Sequence, residues 1–285
     1  MKPLAMRDVL LEKIWQEMSL DSLIFFVSAD FGSPVLDKIR RDFPDRFINV
    51  GIAEQNLINI TAGLAIEGYK VFAYAIAPFI TMRCYEQIRV SLALLSEVRP
   101  MNVNLIGVGA GYSYVVSGPT HQCYEDITIM RALPNFQVLS PADHVTTSSL
   151  FEDCVTTNGL RYFRLDAQVQ PVLYTLDLPS TTDGFHFHQK GEKVCFIATG
   201  FMTHTAFKVA EEINKIGFKV GIIDIFNLTN FSKEGLKKVL ESYVAIVSFE
   251  EGFSGRGGLD SMLFEFIAES KLDLKTLSIG VDPGY

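Results

Sequence analysis

Hydrophobic positions along this chain fall into short runs separated by polar or glycine-bearing turns, and the runs alternate between two periods. Asp8–Leu20 carries Val9, Leu10, Ile14, Trp15 and Met18 on one side and predicts a helix. Leu23–Ser28 is an unbroken apolar run, the kind that lies in a parallel sheet covered on both faces. Phe47–Val50 reads as a short strand that turns at Gly51, after which Ile52, Leu57, Ile60 and Leu64 recur at helical spacing as far as Gly68. The unit then repeats. Lys70–Phe79 is an extended run leading to a helix over Thr81–Arg89, and Met101–Val108 is a strand entering a loop rich in glycine and aromatic residues. A helix that starts at residue 122 stops before Pro134, and Phe136–Leu139 is a strand. Ser140–Asp143 reads as a capped helix start with proline in its first turn, and Arg161–Leu165 is the last strand of this unit.

A polar stretch with Pro179, Ser180, Thr181, Thr182, Asp183 and Gly184 follows, and residues 176–192 are expected to be a linker. Its His186 and His188 resemble half of a metal set that nothing nearby completes, so they are assigned to the linker surface. Beyond it, Val194–Thr199, Lys219–Ile225 and Val244–Glu250 read as strands. They alternate with helices over His204–Ile216, Lys233–Ser242 and Leu259–Ser270. Strand–helix alternation implies parallel pairing with right-handed crossovers. The expected fold is α/β with two doubly wound domains, residues 1–175 and 193–285.

Composition narrows the function. The chain has 285 residues, 48% hydrophobic and 20% charged, enough for a sizeable core. A net charge of −8 with no basic tract argues against nucleic acid as a partner. Cys84, Cys123, Cys154 and Cys195 lie far apart, fitting reduced thiols better than a disulfide framework or a zinc site. The first residues carry no apolar targeting core and no run reaches membrane-spanning length, so the expectation is a cytoplasmic protein with no membrane partner.

Glu54 sits where a strand gives way to a helix, the usual place for a ligand group in an α/β domain. Two readings stand on spacing alone: a partly exposed first-turn glutamate favoured by the helix dipole, or a buried carboxyl available for proton transfer. Gly51–Gln55, Gly-Ile-Ala-Glu-Gln, resembles the signature of the pyrimidine-binding domain of the transketolase family, whose enzymes use thiamine diphosphate. The resemblance implies that Glu54 bonds N1′ of the aminopyrimidine and promotes the imino tautomer that takes the proton from the thiazolium C2. It extends to Gly118–Gln122, Gly-Pro-Thr-His-Gln, whose histidine would make His121 the group facing the reacting oxygens of the substrate. It extends also to Arg131–Asn135 and, more diffusely, to nearly the whole chain: a pyrimidine-binding domain followed by a transketolase C-terminal domain.

Other site residues follow from the same resemblance. Ser28–Ser33 is similar to a family segment near the cofactor and substrate entrance, making Asp30 and Ser33 candidates, although a simple turn explains them too. The loop after Lys70 would pack aromatic rings against the pyrimidine. Phe79 falls on a family aromatic, whereas Ile76 stands where the main stacking phenylalanine belongs; Tyr74, Phe72 and Ile76 read equally as slot or core. Ser117 replaces an aspartate that reads a sugar hydroxyl in ordinary transketolases, and a neutral hydroxyl cannot make the same charge-assisted bond. Arg164 corresponds to an arginine that holds a sugar phosphate in many members, and reads equally as structural. The turn Glu250–Gly258 is expected to be architectural, packing the C-terminal domain at a subunit interface.

Family members hold the cofactor's diphosphate through a cation, Mg²⁺, bound by Gly-Asp-Gly and a later Asn; no Gly-Asp-Gly occurs in this sequence. The resemblance therefore implies the small subunit of a split enzyme, with no metal ligands of its own. A larger partner would carry the diphosphate-binding domain, most simply in an α2β2 assembly, with self-association at the family dimer interface. The implied reaction is transfer of a two-carbon ketol unit between sugar substrates by nucleophilic covalent catalysis. Two alternatives remain at this point: the β subunit of a 2-oxo acid dehydrogenase, which would require a lipoyl partner, and a scaffold of the same fold without activity.

Overall fold

The computed structural model describes residues 2–175, 179–282 and 284. Six strands form the first sheet: β1 (Ile24–Ser28), β2 (Phe47–Asn49), β3 (Lys70–Ile76), β4 (Asn102–Val108), β5 (Phe136–Leu139) and β6 (Gly159–Leu165). All are parallel, in the order β2-β1-β3-β4-β6-β5. Alternate residues of β3 explain why its sequence is apolar throughout. Val71, Ala73 and Ala75 pack with Leu57 and Ile58 of the helix Glu54–Ile66. Phe72 and Tyr74 point the other way, into a cluster with Leu10 and Ile14 of the helix Met6–Leu20. Neither face of the strand reaches water.

In parallel strands every carboxyl end lies on one rim. Here that rim gathers Asp30 after β1, Gly51 after β2, Ile76 at the end of β3 and the loop from Gly109 after β4. The strand order reverses between β1 and β3, and such a reversal opens a crevice at the carboxyl ends.

The second sheet is mixed: β7 (Phe185–Gln189), β8 (Val194–Ala198), β9 (Gly221–Ile225), β10 (Ala245–Phe253) and β11 (Lys275–Val281), ordered β11-β10-β8-β9-β7. β8–β11 are parallel, but β7 runs antiparallel to β9, and it lies inside the stretch expected to be linker. Part of that expected linker, 176–178, falls outside the described residues. The physical reason for β7 is its alternation Phe-His-Phe-His, a period of two that buries Phe185. His186 and His188 are consequently not loose surface groups. The His188 ring lies 4.8 Å from that of Tyr174 and 5.1 Å from that of Phe207. Burial, aided by His186 and His204, pushes its pKa down to about 3. Strand β11 was not expected from the sequence at all.

Other boundaries moved for local reasons. β3 stops at Ile76 because Pro78 opens a short helix, Ala77–Thr81. The helix expected over 81–89 is broken by a turn at 82–84, then resumes as Tyr85–Gln87 and a wide π-helical stretch, Ile88–Leu94. The helix cap expected at Ser140 is made by Asp143, whose Oδ1 accepts from the backbone N–H of Val145 and Thr146 at 3.0 and 2.9 Å. The helix expected from residue 122 begins at Asp126.

The sheets are joined by polar contacts beside an apolar cluster that both domains share. Edge strand β5 pairs with the residues after β9: Ser140 N donates to Phe226 O and Leu228 N to Val138 O, both at 2.8 Å. Arg131 Nη1 donates to Gly257 O at 2.6 Å, within the glycine-rich turn. That turn is architectural inside the chain itself: Glu250 Oε1 accepts from Asp260 N at 3.0 Å, and Glu251 faces Arg164. No described helix is long and apolar enough to cross a membrane.

Candidate active site

Gly51 is the turning point of the rim. Its φ of +71° lies in the left-handed region, which a side chain would resist, and its N–H donates to Asn49 Oδ1 at 2.9 Å. The same Asn49 side chain donates to Asp30 Oδ1 at 3.0 Å and accepts from Asp30 N at 3.2 Å. Asp30 is thus engaged in tying the ends of β1 and β2 together. After Gly51 the chain extends through Ala53 and enters the helix at Glu54.

Glu54 is only 3% exposed, so the partly exposed first-turn reading does not hold. Its Oε2 receives Arg83 Nη1 at 3.0 Å. Arg83 stands in the turn at 82–84, where Gln55 Nε2 donates to its carbonyl at 3.2 Å. The guanidinium also lies over the Phe79 ring, 4.1 Å from its centroid. Phe79 in turn meets His121 edge-on, ring centroids 5.3 Å apart. Glu54, Phe79 and His121, which lie in separate stretches of sequence, are therefore brought into one chain of contacts, and Arg83 links it. The nearby thiol of Cys84 is pushed up to about 12 by burial and then by the charge of Glu54, so it stays a neutral thiol.

His121 comes from the loop after β4. Gly109, at φ +92°, admits no side chain because a Cβ there would overlap the Tyr114 ring. Past it the chain folds back through a short 3₁₀ turn, Gly118–Thr120. His121 Nδ1 lies 3.0 Å from Thr120 Oγ1, and its ring also approaches that of Tyr114 at 6.4 Å. Ser117, next to this turn, is exposed, as are Val115 and Val116.

The remaining candidates divide. Ile76 is half-buried on the rim, paired with Val108. Ser33 precedes the helix Pro34–Asp42 with its hydroxyl buried and unbonded, and no hydrogen bond draws it toward Glu54. Tyr74 is fully buried on the opposite face of the sheet from Leu57 and Ile58, stacked on Phe31 at 5.4 Å; it is core, as is Phe72. Arg164 is also sealed, at 2% exposure. Its Nε lies 3.0 Å from Asp126 Oδ2 and its Nη1 3.6 Å from Glu251 Oε2. Burial alone would lower its pKa, but Asp126 and Glu251 raise it above the ordinary value. Two buried carboxyls thus engage Nε and Nη1, while Nη2 is buried without a hydrogen-bond partner. Arg83 was missed because an arginine inside an amphipathic helical pattern carries no sequence signal; only the break in the helix turns it to Glu54.

The Glu54–Phe79 pair is chemically suited to one end of an aminopyrimidine: a buried carboxyl oxygen for a ring nitrogen and an aromatic face for the ring. Among the described residues, no group of three or more His, Cys, Asp or Glu gathers as a metal site.

This rim is built on a six-stranded parallel sheet that a smaller mixed sheet follows, two α/β domains in one chain. Residues 2–170 match the transketolase pyrimidine-binding domain and residues 185–283 the transketolase C-terminal domain, and the chain belongs to the transketolase family. It is 31% identical over 253 residues to a putative transketolase C-terminal section of Methanocaldococcus jannaschii, covering 88% of this chain and 78% of that protein. It is 30% identical over 247 residues to one of the subunits of apulose-4-phosphate transketolase from Actinobacillus succinogenes, covering 86% and 78%. A solved split-gene transketolase, described as an inactive β4 tetramer, superposes with a TM-score of 0.87 at 28% identity, over 99% of this chain and 90% of that one.

Proposed function

We propose that this chain is the small subunit of a thiamine diphosphate-dependent transketolase that moves a two-carbon ketol unit between sugar or sugar-derived substrates. It would act only with a larger subunit that holds the diphosphate and Mg²⁺. The observation that carries this reading is the contact chain from buried Glu54 through Arg83 to Phe79 and His121 on the rim of a transketolase pyrimidine-binding domain. The bound cofactor would supply the carbon nucleophile for C–C cleavage and formation. Glu54 would bond the pyrimidine ring nitrogen and handle the proton there, shielded from water by its burial. Phe79 and half-buried Ile76 would pack the ring. His121, above Phe79, would face substrate oxygens, and exposed Ser117 beside it would offer a neutral hydroxyl to an acceptor. The relative named for apulose 4-phosphate supports a phosphorylated sugar as one substrate. The neighbour described as inactive in its β4 form supports the need for a partner, and so does the sequence without Gly-Asp-Gly.

The test is titration of thiamine diphosphate with Mg²⁺ into the chain alone and into the complex isolated from its host, together with deuterium exchange at the thiazolium C2. Binding in the complex alone is expected. Glu54→Gln should slow C2 exchange by about 100-fold or more while leaving assembly intact. Exchange at the native rate in that variant would refute the role of Glu54. Failure of the native complex to bind cofactor would leave a scaffold.

A further inference from the structure

We propose that Arg83 is a built-in occupant of the pyrimidine slot, and that the cofactor's pyrimidine must displace it to enter. The inference rests on the slot reading above and adds a residue that governs its occupancy. Arg83 makes the two contacts the slot would offer a flat heterocycle. Its planar guanidinium lies 4.1 Å from the centroid of the Phe79 ring, and its Nη1 reaches Glu54 Oε2 at 3.0 Å. A delocalised planar cation imitates a stacked, hydrogen-bonding ring in a way that an ammonium cannot.

The two partners of this contact differ in freedom. Glu54 is held at 3% exposure at the start of a helix, whereas the Arg83 side chain is 45% exposed at a turn. The backbone of that turn is fixed, by Gln55 on the Arg83 carbonyl and by Met82 N donating to Pro78 O at 3.0 Å. The side chain can therefore swing into solvent without refolding the turn, and Glu54 cannot follow. A ring nitrogen and the guanidinium compete for the same carboxyl and the same aromatic face, so apparent affinity for the pyrimidine falls by the fraction of time the slot is closed.

The experiment is calorimetric titration of 4-amino-5-hydroxymethyl-2-methylpyrimidine, the uncharged pyrimidine half of the cofactor, into the complex with the larger subunit assembled from native, Arg83→Ala or Arg83→Lys chain. Thermal midpoints confirm that each is folded. Arg83→Ala should bind about tenfold more tightly than native, as expected for a slot that is open about a tenth of the time, with Arg83→Lys between them. Phenylglyoxal labelling, read by mass spectrometry, should find Arg83 of the native chain more reactive when the pyrimidine is bound. Equal or weaker binding by Arg83→Ala, or unchanged labelling, would overturn the inference alone. No binding by any of the three proteins would overturn the slot reading and the inference with it.

Discussion

Two arginine–carboxylate pairs in this molecule look alike in distance and differ in everything else. Arg164 and Asp126 meet at 3.0 Å with side-chain exposures of 2% and 0%. Arg83 and Glu54 meet at 3.0 Å with exposures of 45% and 3%. At Arg164 the surroundings finish the job: Tyr162 Oη donates to Asp126 Oδ2 at 2.8 Å, and Glu251 from the second domain faces the guanidinium. At Arg83 the cation rests on one aromatic face and is open to water on its other side. A pair closed on both sides holds domains together; a pair with one exposed partner is open to exchange for a ligand.

The largest effect that tests this contrast is on stability at the seam. Arg164→Met should destabilise the chain by about 3–5 kcal/mol in urea denaturation, because Asp126 and Glu251 stay buried without their cation. It would loosen the contact between the two sheets rather than the rim. A loss under about 1 kcal/mol would show that the seam does not depend on this pair and would erase the distinction.

A smaller effect should appear with pH. Arg164 is already matched by Asp126, so Glu251 is a surplus carboxyl. Burial first, then Asp166 and Asp126 against the opposing pull of Arg164, pushes its pKa up to about 7. The unfolded chain releases that proton near pH 4.3, about the ordinary value for glutamate. The folded chain keeps it up to about pH 7, so the stabilising contribution is full below the unfolded value and is lost as pH rises through about 7. Asp224, buried under Tyr174 and Thr203 and also pushed up to about 7, adds a loss of the same sign. The stability of Glu251→Gln relative to the native chain should therefore improve between about pH 5 and pH 8. Stability curves that stay parallel would contradict the assignment.

The same contrast explains what could be read from the residues alone. The parallel first sheet was legible because its strands are uniformly apolar, and Glu54 and His121 could be singled out as candidates because each sits in a distinctive local motif. The ion pairs of Arg164 could not be foreseen because its partners come from residues 126 and 251, far away in sequence. Tyr74 was ambiguous for the opposite reason: in a strand buried on both faces, no alternation tells the slot side from the core side. The strand at 185–189 was legible as alternation and lost among the turn-forming residues before it. The link made by Arg83 could not be foreseen, since it depends on a helix breaking between Thr81 and Tyr85.

The smallest expected change is the most discriminating. Arg83→Ala removes the cation bonded to a glutamate that is almost fully buried, and a structural pair treated this way would lose several kcal/mol. Here the departing side chain is half exposed, so its removal opens the slot to water, and water can hydrate the carboxyl where the guanidinium stood. The cost should therefore fall in the range of a surface pair, about 0–1 kcal/mol. Measured beside Arg164→Met by urea denaturation, it should give a midpoint close to native. A loss as large as that of Arg164→Met would make Arg83 a structural brace of the rim, and the slot would then need some other route of entry.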